Sequence, residues 1–175
     1  MMIATNDSTL SEPLFLACSR GYDLIVRLFV DAGADINQQN SCGRTPLNSA
    51  SFNGQKKTVL LLIEKGALVN VFDGDGWTAL RYACGKGFKD IVQVLIDNGA
   101  FLDECATNNT TSLDVAELYG HKEIMDLLLL NGAEKKERFI NRKSDNCLNI
   151  LLLFQGAHRE KWKTTERSGE TSWRS

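Results

Sequence analysis

Along this chain short apolar stretches alternate with polar, glycine-marked breaks, and the alternation is periodic. Leu24-Ile25-Val26-Arg27-Leu28-Phe29 and Ile91-Val92-Gln93-Val94-Leu95-Ile96 are apolar-rich runs that predict helices of about three turns. Gly-Ala pairs at Gly33, Gly66, Gly99 and Gly132 stop these runs, each 33 residues after the last. Gly21, Gly54, Gly87 and Gly120 keep the same interval, as do Leu14, Leu47, Leu80 and Leu113, and Ala17, Ala50, Ala83 and Ala116. Four columns in one register over four copies establish an internal repeat.

Each copy predicts two helices. Thr45-Pro46, Thr78-Ala79 and Thr111-Ser112 read as helix starts, a hydroxyl cap followed by proline or a small residue. In the first copy Ser11 or Glu12 takes that role before Pro13. A first helix of about two turns then runs to the glycine of the Gly21 column, where a left-handed residue is needed. The apolar run supplies the second helix. Asn40-Ser41-Cys42-Gly43 and Asp73-Gly74-Asp75-Gly76 predict tight reversals between copies. A helix pair this small cannot cover its own apolar face, so copies must lean on one another. The small alanine column lets first helices approach, and second-helix leucines and isoleucines fill the layer behind. The predicted fold is an all-α repeat solenoid, a helix-turn-helix stack with short β-hairpin-like loops.

These residues resemble the ankyrin repeat family, whose consensus runs D-x-x-G-x-T-P-L-H-x-A-A-x-x-G and closes L-L-L-x-x-G-A-D-x-N. Thr45-Pro46-Leu47, Ala50, Gly54, Gly66-Ala67 and Asn70 match it column by column. So do Asp73, Gly76, Thr78, Leu80, Ala83 and Gly87, and Gly33-Ala34-Asp35-Ile36-Asn37 closes the first copy. The resemblance covers residues 7–138 as copies 7–39, 40–72, 73–105 and 106–138, after a lead of residues 1–6. The family histidine after T-P-L is Phe15, Asn48, Arg81 and Asp114 here, so its bonds to the turn are expected to be missing or changed. Asn109 stands in the hairpin-glycine column of the last copy. Neither end reads as a dedicated polar cap.

Composition narrows the class without changing it. At 43% hydrophobic and 24% charged, the 175 residues are of ordinary globular make-up, and a net charge of −2 exerts no overall pull toward nucleic acid. Met1 to Leu10 lack a basic start and an apolar core, so no signal peptide is expected, and the sequons at Asn6, Asn108 and Asn109 read as chance. Five cysteines (18, 42, 84, 105 and 147) without a C-x-x-C argue against a secreted disulfide framework. The expected location is the cytoplasm, with the nucleus as a second option. Residues 135–175 carry ten Lys or Arg against five acids, a net of +5 that leaves −7 on the rest of the chain. Leu148 to Phe154 is an apolar run too short for a bilayer, and residues 139–157 read as a degenerate C-terminal half-repeat. Residues 158–175 read as a polar, basic, disordered tail.

Chemistry has little to build on. With His121 and His158 the only histidines, no paired-histidine zinc site exists, and His121 reads as structural. Gly85-Lys86-Gly87 lacks the spacing of a phosphate loop, and Asp73-Gly74-Asp75-Gly76 lacks the ligands of a calcium loop. Cys18 and Cys84 share one column and read as buried small hydrophobes. No enzyme and no cofactor are expected. What the resemblance implies instead is a partner protein docked on the concave side formed by hairpin tips and first helices. Carried over by position, that surface comprises Arg20, Arg44, Phe52, Asn53, Asp75, Trp77, Lys86, Asn108, Leu118 and Tyr119. Phe52, Trp77 and Tyr119, with Arg44 or Lys86 beside them, are the expected hot spot, unless Trp77 folds down over its own hairpin. The expected function is a non-enzymatic adaptor or scaffold, monomeric on its own and without nucleic-acid partners or a transmembrane segment. Two alternatives are an inhibitor of a partner enzyme using the same surface, and an adaptor whose basic tail binds a membrane or other anionic surface.

Overall fold

The computed structural model describes residues 11–105 and 110–135. They form four helix pairs: α1 (Ser11–Arg20) with α2 (Asp23–Asp31), α3 (Pro46–Phe52) with α4 (Lys56–Glu64), α5 (Ala79–Lys86) with α6 (Lys89–Asp97), and α7 (Ser112–Leu118) with α8 (Lys122–Leu130). In the second, third and fourth pairs the first helix begins directly after the expected hydroxyl cap, whereas α1 already includes Ser11 and Glu12, the residues expected to cap it. Thr45 Oγ1 accepts a hydrogen bond from Asn48 N at 3.2 Å, and Thr78 and Thr111 cap α5 and α7 alike. Thr111 adds a full capping box, since Asp114 Oδ2 accepts from Thr111 N at 2.6 Å.

First helices pack on first helices (α1 on α3, α3 on α5, α5 on α7) and second helices on second helices in the same order. The buried core repeats accordingly: Leu14, Leu47, Leu80 and Leu113 lie against the alanine column, with Val26, Val59, Val92, Leu62, Leu95 and Leu128 in the layer behind. Each buried Leu or Val contributes roughly 1.5–3 kcal/mol, and the packing that covers them comes both from within a pair and from its neighbours.

Polar staples use the same register. Asn37 Oδ1 accepts from Leu68 N at 2.8 Å, Asn70 Oδ1 from Phe101 N at 2.9 Å and Asp103 Oδ1 from Glu134 N at 3.0 Å. Thus one side chain per copy satisfies a backbone donor in the next. On the outer helices Lys56–Asp90 (3.2 Å) and Lys89–Glu123 (2.9 Å) repeat as exposed ion pairs, worth little individually.

The connections between pairs are turns, with no β-strand among the described residues. Asn40 N donates to Arg44 O and Asp73 N to Trp77 O, both at 2.9 Å. Gly74 N donates to Cys42 O at 3.0 Å, a backbone bond joining consecutive tips. In the last pair Glu117 is exposed in the column where Cys18, Ser51 and Cys84 are buried, and its carboxylate pairs with Lys135 Nζ at 3.2 Å.

The turn glycines answer to two constraints that can be separated. Gly87 has φ +79°, and a Cβ there would meet the His121 ring at 2.7 Å. Gly120 has φ +72° with nothing within 4 Å. Gly120→Ala is therefore expected to lose about 1 kcal/mol from backbone strain alone, and Gly87→Ala about 2 kcal/mol or more because the His121 ring must also shift. Urea midpoints of the two variants check this order.

Candidate functional site

Hairpin tips and the C-terminal halves of the first helices share one face, and between the second and third pairs that face carries a continuous cluster. Its foundation is Asp73. One carboxylate oxygen, Oδ1, accepts from Asp75 N at 3.0 Å and Trp77 N at 2.8 Å and so shapes the tip, as Asn40 Oδ1 does for Cys42 N and Arg44 N one copy earlier, both at 3.0 Å. An aspartate in place of asparagine makes the second oxygen a charged acceptor. Tyr82 donates its hydroxyl to that Oδ2, and Arg44 Nε lies 3.6 Å from it. The ion pair is buried on both sides, where losing one partner is costly.

Rings and cations pack together around this pair. Tyr82 packs edge-on to Phe52 with centroids 5.4 Å apart and lies tilted against Trp77 at 5.2 Å. The Arg44 guanidinium sits 5.1 Å from the Tyr82 ring and 5.6 Å from Phe52, and Lys86 Nζ lies 4.4 Å from the Phe52 centroid. On the far side Arg81 Cζ stands 4.9 Å from the Trp77 ring. Contacts of this kind contribute about 0.5–2 kcal/mol each, more where water is excluded.

Burial leaves its mark on the titrating groups. It holds the Lys86 ammonium below the usual lysine range and lowers Arg81 to about 10, still charged at neutral pH. The Tyr82 phenol is pushed upward by burial, against the pull of nearby Arg44, and stays a hydrogen-bond donor. Burial also raises the Cys84 thiol, and burial followed by the nearby Asp23 pushes Cys18 up to about 12. Both are buried, neutral thiols at pH 7, the column role read from the sequence.

The histidine column works by substitution. Arg81 donates to the Thr110 carbonyl and, at 2.5 Å, to Thr110 Oγ1, reaching the next turn. Asn48 reaches Val71 O and Trp77 O at 3.5 Å, the outer limit for such bonds. Asp114 turns inward to the Thr111 cap. His121 Nε2 lies 3.2 Å from Gly85 O, and its ring stacks on Tyr119 with centroids 6.4 Å apart.

Of the residues expected on the interaction surface, Arg44, Phe52, Trp77 and Lys86 are brought together in this cluster. Phe52 and Lys86 are half-buried, Asn53 and Asp75 exposed, and Arg20 exposed at the end of α1. Leu118 and Tyr119 are half-buried in the fourth pair, and Asn108 lies outside the described residues. The picture of Trp77 as a free-standing anchor is corrected: at 8% exposure it folds down between Tyr82 and Arg81. Arg44, at 6%, is likewise built into the wall by Asp73. Sequence reasoning missed Tyr82, Asp73 and Arg81 as members. The available signal was Tyr82 itself, the one aromatic in a column otherwise filled by Leu16, Ser49 and Val115.

Trp77→Ala is expected to lower the unfolding free energy by about 3 kcal/mol, the cost of a large core truncation. Chemical denaturation followed by circular dichroism measures it, and an unchanged midpoint would show that the ring supports nothing.

Among the described residues no helix is long and apolar enough to cross a membrane, and no group of three or more His, Cys, Asp or Glu could hold a metal ion. No curated protein matches the chain. A family model described as ankyrin repeats (3 copies) matches residues 3–73 and again 68–138. Members of that family are typically non-enzymatic and generally mediate protein–protein interactions. The stacked helix pairs, their capped starts and their left-handed turn glycines agree with that match, and the chain belongs to the ankyrin repeat family.

Proposed function

We propose that this chain is a non-enzymatic adaptor or scaffold that binds a partner protein on the face formed by hairpin tips and first helices, centred on Phe52 and Lys86. The observation that carries the reading is the contiguous set of rings and cations Lys86, Phe52, Arg44, Tyr82, Trp77 and Arg81, fixed from below by Asp73. Side chains already held by neighbours lose little freedom when a partner arrives, which is how a rigid surface reaches useful affinity. Trp77, Tyr82 and Arg44 support this surface. Phe52 and Lys86, packed on each other and half-buried, are the members of the set that a ligand reaches, with exposed Asn53 and Asp75 at the rim.

Interface energy concentrates in a few residues of this type. A partner isolated on the immobilised chain and then purified is expected to bind Phe52→Ala and Lys86→Ala at least about tenfold more weakly, equal to about 1.4 kcal/mol. Lys122→Ala, on the outer helix α8, is expected to bind as the native chain does. Isothermal titration calorimetry reads all three. Unchanged affinity in both Phe52 and Lys86 variants would move the interface elsewhere.

A further inference from the structure

First helices pack directly on one another, α1 on α3 and α3 on α5, so residues 33 apart follow one another along the stack. Two neighbouring columns at the ends of these helices carry opposite kinds of surface. In one column Ser19 is buried and turned to its own helix, its hydroxyl donating to Leu16 O at 2.9 Å, and Gly85 has no side chain. Phe52 between them is the single large apolar side chain of the three. The next column reads Arg20, Asn53 and Lys86, a cation, an amide and a cation, with no acid. Arg20 and Asn53 are exposed and Lys86 half-buried. Both cations stand in the last turn of their helices, where backbone carbonyls favour positive charge.

The acids of the same face lie elsewhere. Asp75 belongs to the tip that precedes α5, whereas Lys86 ends that helix. Asp73 is taken by Tyr82 and Arg44, and Glu117 by Lys135. Charge on this face is therefore divided, negative toward the tips and positive toward the helix ends.

We infer that the partner presents an extended acidic segment that crosses the first helices of the first three pairs, one carboxylate on Arg20, a second on Lys86 and an apolar side chain between them on Phe52. The inference deepens the function proposed above and rests on it. Axes of packed helices lie about 8–10 Å apart, so two steps of the stack separate the cations by about 16–20 Å. An extended chain advances about 3.3 Å per residue, which puts the two acids about five or six residues apart in the partner. Burial holds the Lys86 ammonium below the usual lysine range, a cost that an arriving carboxylate offsets. Exposed Asp75 repels the same segment if its acids turn toward the tips, so the divided charge also sets the orientation.

Selection of a displayed library of random peptides on the immobilised full chain tests the inference, with the purified best binder then titrated by fluorescence anisotropy. Enriched peptides are expected to carry Asp or Glu at that spacing on either side of an apolar residue. The double variant Arg20→Gln, Lys86→Gln is expected to keep native helical content and to bind the chosen peptide at least about tenfold more weakly. Lys57→Gln, Lys122→Gln removes the same charge from the outer helices α4 and α8 and is expected to bind as the native chain does. Neutral or basic peptides that require Phe52 overturn the acidic partner and leave the surface standing. Acidic peptides bound undiminished by the first double variant, equal loss in the second, or no enrichment overturn it as well. Peptides that bind Phe52→Ala and Lys86→Ala as tightly as the native chain remove the surface itself.

Discussion

A helix pair of this size has more apolar surface than it can hide within itself, and everything else in the structure follows from that deficit. The first helix uses one side for its partner and two for its neighbours, which is why Ala17, Ala50, Ala83 and Ala116 are small and buried. Closeness between pairs then makes backbone donors of one copy reachable from side chains of another. Asn37, Asn70 and Asp103 exploit that reach at each junction. The Gly87 turn approaches His121 so closely that any side chain there would displace the ring. Nearest-neighbour contact thus sets core, staples and turn composition together.

The cluster between the second and third pairs is the same constraint put to another use. Where other copies place Leu16, Ser49 or Val115, this junction has Tyr82, and a ring in that column spans the gap to Phe52 and Trp77. A buried phenol needs an acceptor and a buried guanidinium needs a counter-charge, and the spare oxygen of Asp73 serves as both. Burying such an ion pair is weak evidence for stability, since desolvation offsets much of the attraction. What it fixes is position, and a fixed wall beneath Phe52 and Lys86 is what the proposed interface requires. Arg81 extends the wall into the fourth pair by holding Thr110.

Much of the architecture was legible in the sequence because it is written at one spacing. Helix starts, left-handed turns, the alanine seam and the buried thiols of Cys18 and Cys84 all repeat or recur at that interval. The interaction surface was legible only in outline. Its columns could be assigned, but the depth of Trp77 and Arg44 depends on what neighbouring copies place beside them, and no local pattern records that. Tyr82 and Asp73 were passed over because a residue expected to pack and a residue expected to shape a turn carry no outward mark of a second role. The half-repeat and tail read from residues 139–175 lie outside the described residues.

Whether neighbours hold one another upright can be measured at the seam itself. Ala83 is fully buried on α5 between α3 and α7, and Ala83→Glu forces a carboxylate into that contact. Amide hydrogen exchange read by mass spectrometry is expected to show lost protection in α5 and α6 and also in the adjoining α3 and α7, although neither neighbour is altered. Loss confined to α5 and α6, with α3 and α7 protected as before, would contradict the account.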